Sequence, residues 1–198
     1  MWGFVADRIA ARWPAHETSG VRPPDWRTGA VAVFGALSAA AAAVRWTELR
    51  DLATVGAMLA ALVLLLATDL DQRLLPDEIT LPMIPAALAV LILGWDPLLS
   101  GKTLGLLSGL AAGIVFPLLF LAGSTVLRGG LGLGDVKLLV SVGLFAGLTA
   151  LFRGLLLASL GFGAVLLVLL VTRRLALRSY VPFGPVIIFA AALAAVAG

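Results

Sequence analysis

Two short stretches carry side chains for which a simple membrane anchor has no use. Residues 130–137 read Gly130-Leu131-Gly132-Leu133-Gly134-Asp135-Val136-Lys137, a glycine-rich break between two apolar runs that ends in an acid and a base. Glycines on alternate positions make a poor helix, each costing roughly 1 kcal/mol against alanine, but they let another backbone come close. Asp135 falls where the next helical run starts, at the positive end of its dipole. Taken alone, this is equally a flexible loop with an N-capping aspartate. The second stretch, Thr68 to Thr80, tips the balance, because Asp69, Asp71, Asp77 and Glu78 cluster at the mouth of another apolar run. Asp69 follows directly on that run, at the negative end of a helix where water is scarce.

One carboxylate placed to stay ionised and another placed to stay protonated form the pair that peptide hydrolysis by activated water requires. One takes a proton from the water, and the other donates to the carbonyl oxygen. The placement makes Asp135 the initial base and Asp69 the protonated partner, unless the two share a proton and titrate as a unit. Asp71 and Glu78 read as solvated loop acids. Asp77, after Pro76 and three residues before Thr80, is placed either to cap the helix that follows or to meet substrate. Asp69, Asp71 and Asp77 could instead ligate a cation through oxygen, although the loop lacks the glycine and spacing of a calcium loop. Arg73 and Lys137 stand where they could neutralise these acids.

The elements that must position these residues are membrane helices. The 198 residues are 61% hydrophobic with mean hydropathy +1.09, and several apolar runs reach or approach the roughly 20 residues that cross a bilayer. The net charge of +3 is spread thinly through the loops, which suits a membrane face and argues against a nucleic-acid partner. No cysteine excludes disulfides, thiolate zinc and thiol catalysis, and the one histidine, His16, reads as a loop residue. No metal and no cofactor are expected. The fold class is therefore all-α and polytopic, with about seven spans at 29–46, 52–69, 79–95, 104–127, 137–151, 154–172 and 182–197. The fifth and sixth spans are divided at Thr149, Arg153 and Gly154. Small residues, the alanines at 39–43 and Gly113, Gly143, Gly147, Gly161 and Gly163, predict close helix packing.

Residues 1–28 read as an interfacial or linker segment ahead of a membrane domain over 29–198. Trp2, Phe4, Val5, Ile9 and Trp13 could line one side of a short helix with Arg8 and Arg12 at the headgroups. No cleavable signal peptide is evident, since Asp7, Arg8 and Arg12 interrupt the N-terminal run. With the N-terminus cytoplasmic, only Arg45, Arg50, Lys102 and Arg153 of the 14 cations fall outside, as the positive-inside rule favours. Asp69 and Asp135 then lie at one face, the cytoplasmic one.

Asp69-x6-Pro76-Asp77-x2-Thr80, followed by Gly132-x-Gly134-Asp135-x-Lys137-Leu138 and by Val181-Pro182-Phe183-Gly184-Pro185, resembles the bacterial type IV prepilin peptidases, which are GxGD intramembrane aspartyl proteases. The three elements occur in the family's order and span most of residues 50–190. The resemblance implies a multi-pass enzyme of the bacterial cytoplasmic membrane that removes the leader of prepilin or pseudopilin substrates. It implies Asp69 and Asp135 as the catalytic pair. Gly132, Gly134, Lys137, Arg73, Asp77, Pro182 and Gly184 would then be substrate-binding or auxiliary residues. Gly3-Phe4 through Arg8 and Arg12-Trp13-Pro14 are similar to the family's N-terminal segment. The cytosolic module with two CxxC pairs, associated in the family with methylation, has no counterpart, which argues against zinc and against methyltransferase activity. The alternative from another class is a small transporter or channel using Asp69 and Asp135 as proton- or cation-coupling carboxylates; a third is an inactive scaffold for pilus assembly.

Overall fold

A computed structural model describes residues 1–13, 22–99, 102–126, 132–172 and 183–197. The chain forms α1 (Trp2–Ala10), α2 (Trp26–Arg45), α3 (Leu49–Gln72), α4 (Asp77–Leu93), α5 (Lys102–Val126), α6 (Leu133–Val171) and α7 (Gly184–Ala197), with no strand among the described residues. Four of them, α2, α3, α5 and α6, are long and apolar enough to cross a membrane. This is an all-α, multi-pass membrane protein.

A straight α6 of 39 residues would be about 58 Å long, nearly twice the hydrocarbon core of a bilayer. It is not straight. Gly147 breaks it at φ 69°, ψ −178°, a conformation open essentially to glycine alone. A Cβ there would meet the Leu99 side chain at 2.5 Å and Ser108 Oγ at 2.7 Å, in and near the α4–α5 connection. Yet Phe162, farther along α6, stacks on Phe189 in the middle of α7, with ring centroids 5.5 Å apart. The chain therefore turns back at Gly147, and α6 comprises two antiparallel spans. The Leu148 N–H donates to Ser108 Oγ at 3.0 Å, giving the second limb a cap from a neighbouring helix. The division falls earlier than the sequence predicts. Arg153 lies within the second limb and faces outward, and Gly154 is a packing residue against Ala190, where a Cβ would lie 2.2 Å from the carbonyl oxygen.

Small residues set the distances between helices, though not all those singled out. A Cβ on Gly143 would come within 2.7 Å of the Ala112 and Gly113 backbone, so α5 and the first limb of α6 touch main chain to main chain. Gly161 and Gly163 face open space. Helix α7, apolar on every side, is buried along most of its length among α2, α3 and α6, with Ile187, Ile188 and Ala190 inaccessible. Its direction fixes two ends of the bundle. Gly184 opens α7 beside Asp69, and the Ala195 carbonyl near its far end accepts from Trp46 Nε1 at 3.0 Å.

Helix α1 runs alongside α3, with Trp2 Nε1 donating to the Ala60 carbonyl at 3.0 Å and Gln72 Nε2 donating to the Ala10 carbonyl at 2.9 Å. It buries Gly3, Ala6, Asp7 and Ala10 and turns Trp2, Phe4 and Val5 outward. Burial alone would raise the Asp7 pKa. Hydrogen bonds from Arg8 and Thr28, with the charges of Arg22 and Arg8, outweigh it and hold the carboxyl below 3.8.

At the opposite end, Asp96 in the α4–α5 connection is buried, its Oδ1 accepting from Leu98 N–H at 2.9 Å and its Oδ2 without a partner. Burial pushes its pKa up to about 7, the nearby Asp51 adds to the rise, and the Leu98 and Leu99 amides only partly offset it. An acid whose folded pKa lies above its unfolded value stabilises the fold below about pH 4 and loses that contribution as pH rises through about 7. The apparent unfolding temperature in detergent should therefore fall between pH 4 and 7, and Asp96→Asn should flatten that slope. Gly147→Ala should destabilise the protein by about 1–3 kcal/mol from backbone strain alone, read as an earlier thermal transition.

Candidate active site

Helix α3 delivers Asp69 in its last turn and stops four residues later. Arg73 ends it in the left-handed conformation, φ 54° and ψ 37°, with its N–H on the Asp69 carbonyl at 2.9 Å. Pro76, fixed at φ −61°, turns the chain into α4, and Asp77 is the first helical residue. On the other side, Gly132 is the extended residue ahead of α6, and Asp135 sits in the first turn. The Asp135 carboxylate lies close to the bare Gly132, and it lines the cavity described next.

These termini close around a cavity of about 460 Å³. Its walls are Asp69, residues 73–77, residues 132–135, Phe183 and Gly184. The two aspartates, from helices that begin and end far apart in sequence, line the same space and lie near enough for their charges to interact. Asp69 is 6% exposed, and its Oδ2 is buried without a hydrogen-bond partner. Asp135 is half-buried. Among the described residues, neither forms an ion pair.

Two of the glycines matter because they carry no side chain. A Cβ on Gly184 would lie 2.9 Å from Asp69 Cγ and Oδ1, so α7 starts hard against that carboxyl. A Cβ on Gly134 would lie 2.8 Å from Leu75 Cβ, which lets the start of α6 dock on the α3–α4 turn. Gly132 looks onto Asp135 Oδ2. Phe183 stacks edge-on against Phe120 of α5 at 5.9 Å, tying the mouth of α7 to the bundle.

Of the residues singled out from sequence, the cavity gathers Asp69, Arg73, Asp77, Gly132, Gly134, Asp135 and Gly184. Pro182 lies outside the described residues, as do Gly130, Leu131 and Val181. Lys137 is not in the wall. Its Nζ donates to Asp77 Oδ1 at 2.7 Å, joining the first turns of α4 and α6. The Asp77 side chain, a capping candidate in sequence, is held by Lys137, and Pro76 is the N-cap residue. Asp71 is not a solvated loop acid and does not join Asp69 and Asp77 in a cation site. Two residues on from Asp69, it faces nearly the opposite way, where Arg22 and Arg27 each reach its Oδ1 at 3.0 Å. Behind them Arg22 also reaches Asp7 Oδ1 at 2.6 Å. The sequence analysis does not anticipate this cluster; the one signal for it is the acid Asp7 beside Arg8 in a short, largely apolar helix.

Helices α3, α4, α6 and α7 meet at a cavity that two aspartates line, which makes this multi-pass membrane protein one with a candidate paired-carboxylate site. Residues 56–197 match the type IV leader peptidase family, and the chain belongs to that family. It is 34% identical over 180 residues to a prepilin leader peptidase/N-methyltransferase of Burkholderia pseudomallei (strain 1026b), covering 89% of this chain and 52% of the relative. Relatives of the same name in Aeromonas hydrophila (34% over 139 residues, 67% of this chain and 46% of the relative) and Bacillus subtilis (strain 168) (33% over 154 residues, 75% and 57%) are also similar. The chain spans about half the length of these curated relatives. No solved structure matches it.

The contact of Gly184 with Asp69 gives a direct test of the cavity. Gly184→Ala should destabilise the protein by about 1–3 kcal/mol through overpacking against Asp69, read as an earlier thermal transition. Gly161→Ala, in open space on α6, should not lower that transition.

Proposed function

We propose that this protein is an aspartic endopeptidase that cleaves the leader from prepilin-like proteins at the cytoplasmic face of the bacterial inner membrane. Asp69 and Asp135 are its catalytic pair. The observation that carries this reading is the convergence of these two carboxylates on one cavity, neither neutralised by a salt bridge among the described residues.

In the reaction, the ionised carboxylate takes a proton from a water molecule whose oxygen bonds to the scissile carbonyl carbon. The protonated carboxyl gives its proton to the carbonyl oxygen, yielding a tetrahedral diol. Collapse of the diol breaks the C–N bond, with proton transfer to the departing amine, and returns the pair to one proton held between two acids. Asp135, in the first turn of α6 at the positive end of the helix dipole, suits the base. Asp69, buried with a free oxygen, suits the acid. Because the pair is coupled, each proton belongs to both.

The bare backbone at Gly132 leaves room for an extended substrate strand beside Asp135, while Gly134 and Gly184 act as auxiliary residues that let α6 and α7 pack close to the site. Arg73 and the Lys137–Asp77 pair form a polar rim suited to the leader side of the cleavage site, and Pro182 precedes the start of α7. The substrate class is prepilin or pseudopilin, and the partner surface is the lipid bilayer. Arg8, Arg22, Arg27, Arg73 and Lys137 sit at the Asp69 end, while Arg45, Arg50 and Arg153 belong to the other. This distribution supports a cytoplasmic site under the positive-inside rule. Only the peptidase half of the relatives' name is carried over.

Wild-type protein in membranes or detergent should shorten a prepilin by its leader, seen as a mobility shift. Asp69→Asn and Asp135→Asn should each reduce cleavage by more than about a thousandfold with expression retained, because each removes one proton carrier. Cleavage persisting in either variant would remove that residue from the pair.

A further inference from the structure

The last turn of α3 has two charged faces. Asp69 points into the cavity. Asp71, about 200° further round the helix, points into a cluster of two acids, Asp7 and Asp25, and three arginines, Arg8, Arg22 and Arg27, contributed by α1, the segment before α2, and the first turn of α2. Arg22 Nη1 and Arg27 Nη1 both lie 3.0 Å from Asp71 Oδ1. Arg22 also pairs with Asp25 at 3.2 Å and with Asp7 at 2.6 Å. Asp7, 1% exposed, is further held by Arg8 and by Thr28 Oγ1 at 2.8 Å, and Arg8 Nη1 donates to the Arg22 carbonyl at 2.6 Å. Beside Asp71, Gln72 bonds the end of α1.

This is a poor device for stability alone. Arg22 Nε and Arg27 Nε are buried with no acceptor, and burying charges costs more than packing apolar groups of the same size. What such a network does supply is direction, since each pair holds only in one register. Direction is also what the other face of the turn requires. Gly184 leaves no slack around Asp69. A rotation of α3 by about 10° would move a carboxyl at the helix surface by roughly 1 Å.

We propose that Asp71 is a positioning residue for Asp69: anchored by Arg22 and Arg27, it fixes the rotation of the last turn of α3 so that Asp69 faces Asp135 across the cavity. The N-terminal segment is then a working part of the site, although it touches no substrate. This inference rests on the peptidase reading above.

The test is steady-state cleavage of a prepilin by the purified full chain, with unfolding temperature measured alongside. Asp71→Asn, which keeps shape and removes charge, should lower kcat by roughly 10- to 100-fold, the scale of a 1 Å misplacement, with KM within about threefold. Asp71→Glu should recover most of kcat. Arg27→Gln should lower kcat in the same direction, and Asp71→Asn combined with Arg27→Gln should be no worse than Asp71→Asn alone, as expected for two groups acting through one contact. Wild-type kcat in Asp71→Asn overturns the proposal, as does a loss that follows unfolding temperature and is not recovered by Asp71→Glu. If Asp71→Asn fails to accumulate, Arg27→Gln decides alone, and wild-type kcat there overturns it. A wild type that does not cleave removes the peptidase reading and this inference together. A wild type that cleaves with Asp71→Asn unimpaired removes this inference only.

Discussion

A carboxyl group buried at the end of a membrane helix is the constraint that the rest of the structure accommodates. Burying an ion costs on the order of several kcal/mol, and Asp69 is nearly inaccessible with one oxygen unpartnered. In the local turn the charge of Arg73 offsets only part of that. The neighbouring backbone is used up, the Asp69 carbonyl accepting from Arg73 and the turn closing through a left-handed residue that itself costs about 1–2 kcal/mol. The compensation is distributed. The packed interior, Leu62, Leu65, Leu138, Leu139, Ile187 and Ile188 among others, supplies the surplus that lets one polar site exist at the border.

Backbone proximity is the means by which that site is assembled. Helices that touch through glycine and alanine can bring their termini to one point without large side chains intervening. Gly143 on Ala112 draws the first limb of α6 against α5, and Gly154 on Ala190 draws the second limb against α7. The reversal at Gly147 makes both contacts available to one continuous segment. As a result α6 begins at the cavity with Asp135, turns back beside Leu99, and then braces the helix whose first residue abuts Asp69. One segment thus supplies an acid and supports the wall around its partner.

What was legible in sequence was chemistry close to an apolar run. Asp69, Asp135 and Gly184 stood out because acids and glycine-proline breaks are conspicuous against leucine and alanine, and the spans were legible for the same reason. The break in α6 was not, because Arg153 imitates a loop. A long cationic side chain on a lipid-facing position can extend toward water without ending its helix. Gly147, one of many glycines, gave no sign that Leu99 and Ser108 would hold it in an extended, positive-φ state. Lys137 stands two residues from Asp135 in sequence, and which of the acids it meets was not legible there: the meeting of two helix starts gives it Asp77, sixty residues away. The Asp7–Arg22–Asp71 contacts depend on α1 lying along α3. A nine-residue helix carries no sequence signal for the partner it will choose.

Paired charge divides the acids at this end of the bundle into two groups. Three carboxylates line the cavity: Asp69, Asp77 and Asp135. Lys137 occupies Asp77, and the acids just behind the wall, Asp71 and Asp7, are taken by Arg22, Arg27 and Arg8. Among the described residues, Asp69 and Asp135 are the cavity acids that no cation bridges. In a motif region as acidic as residues 69–78, what sets Asp69 apart is its burial without an ion pair, while its neighbours Asp71 and Asp77 are held by guanidinium and ammonium groups.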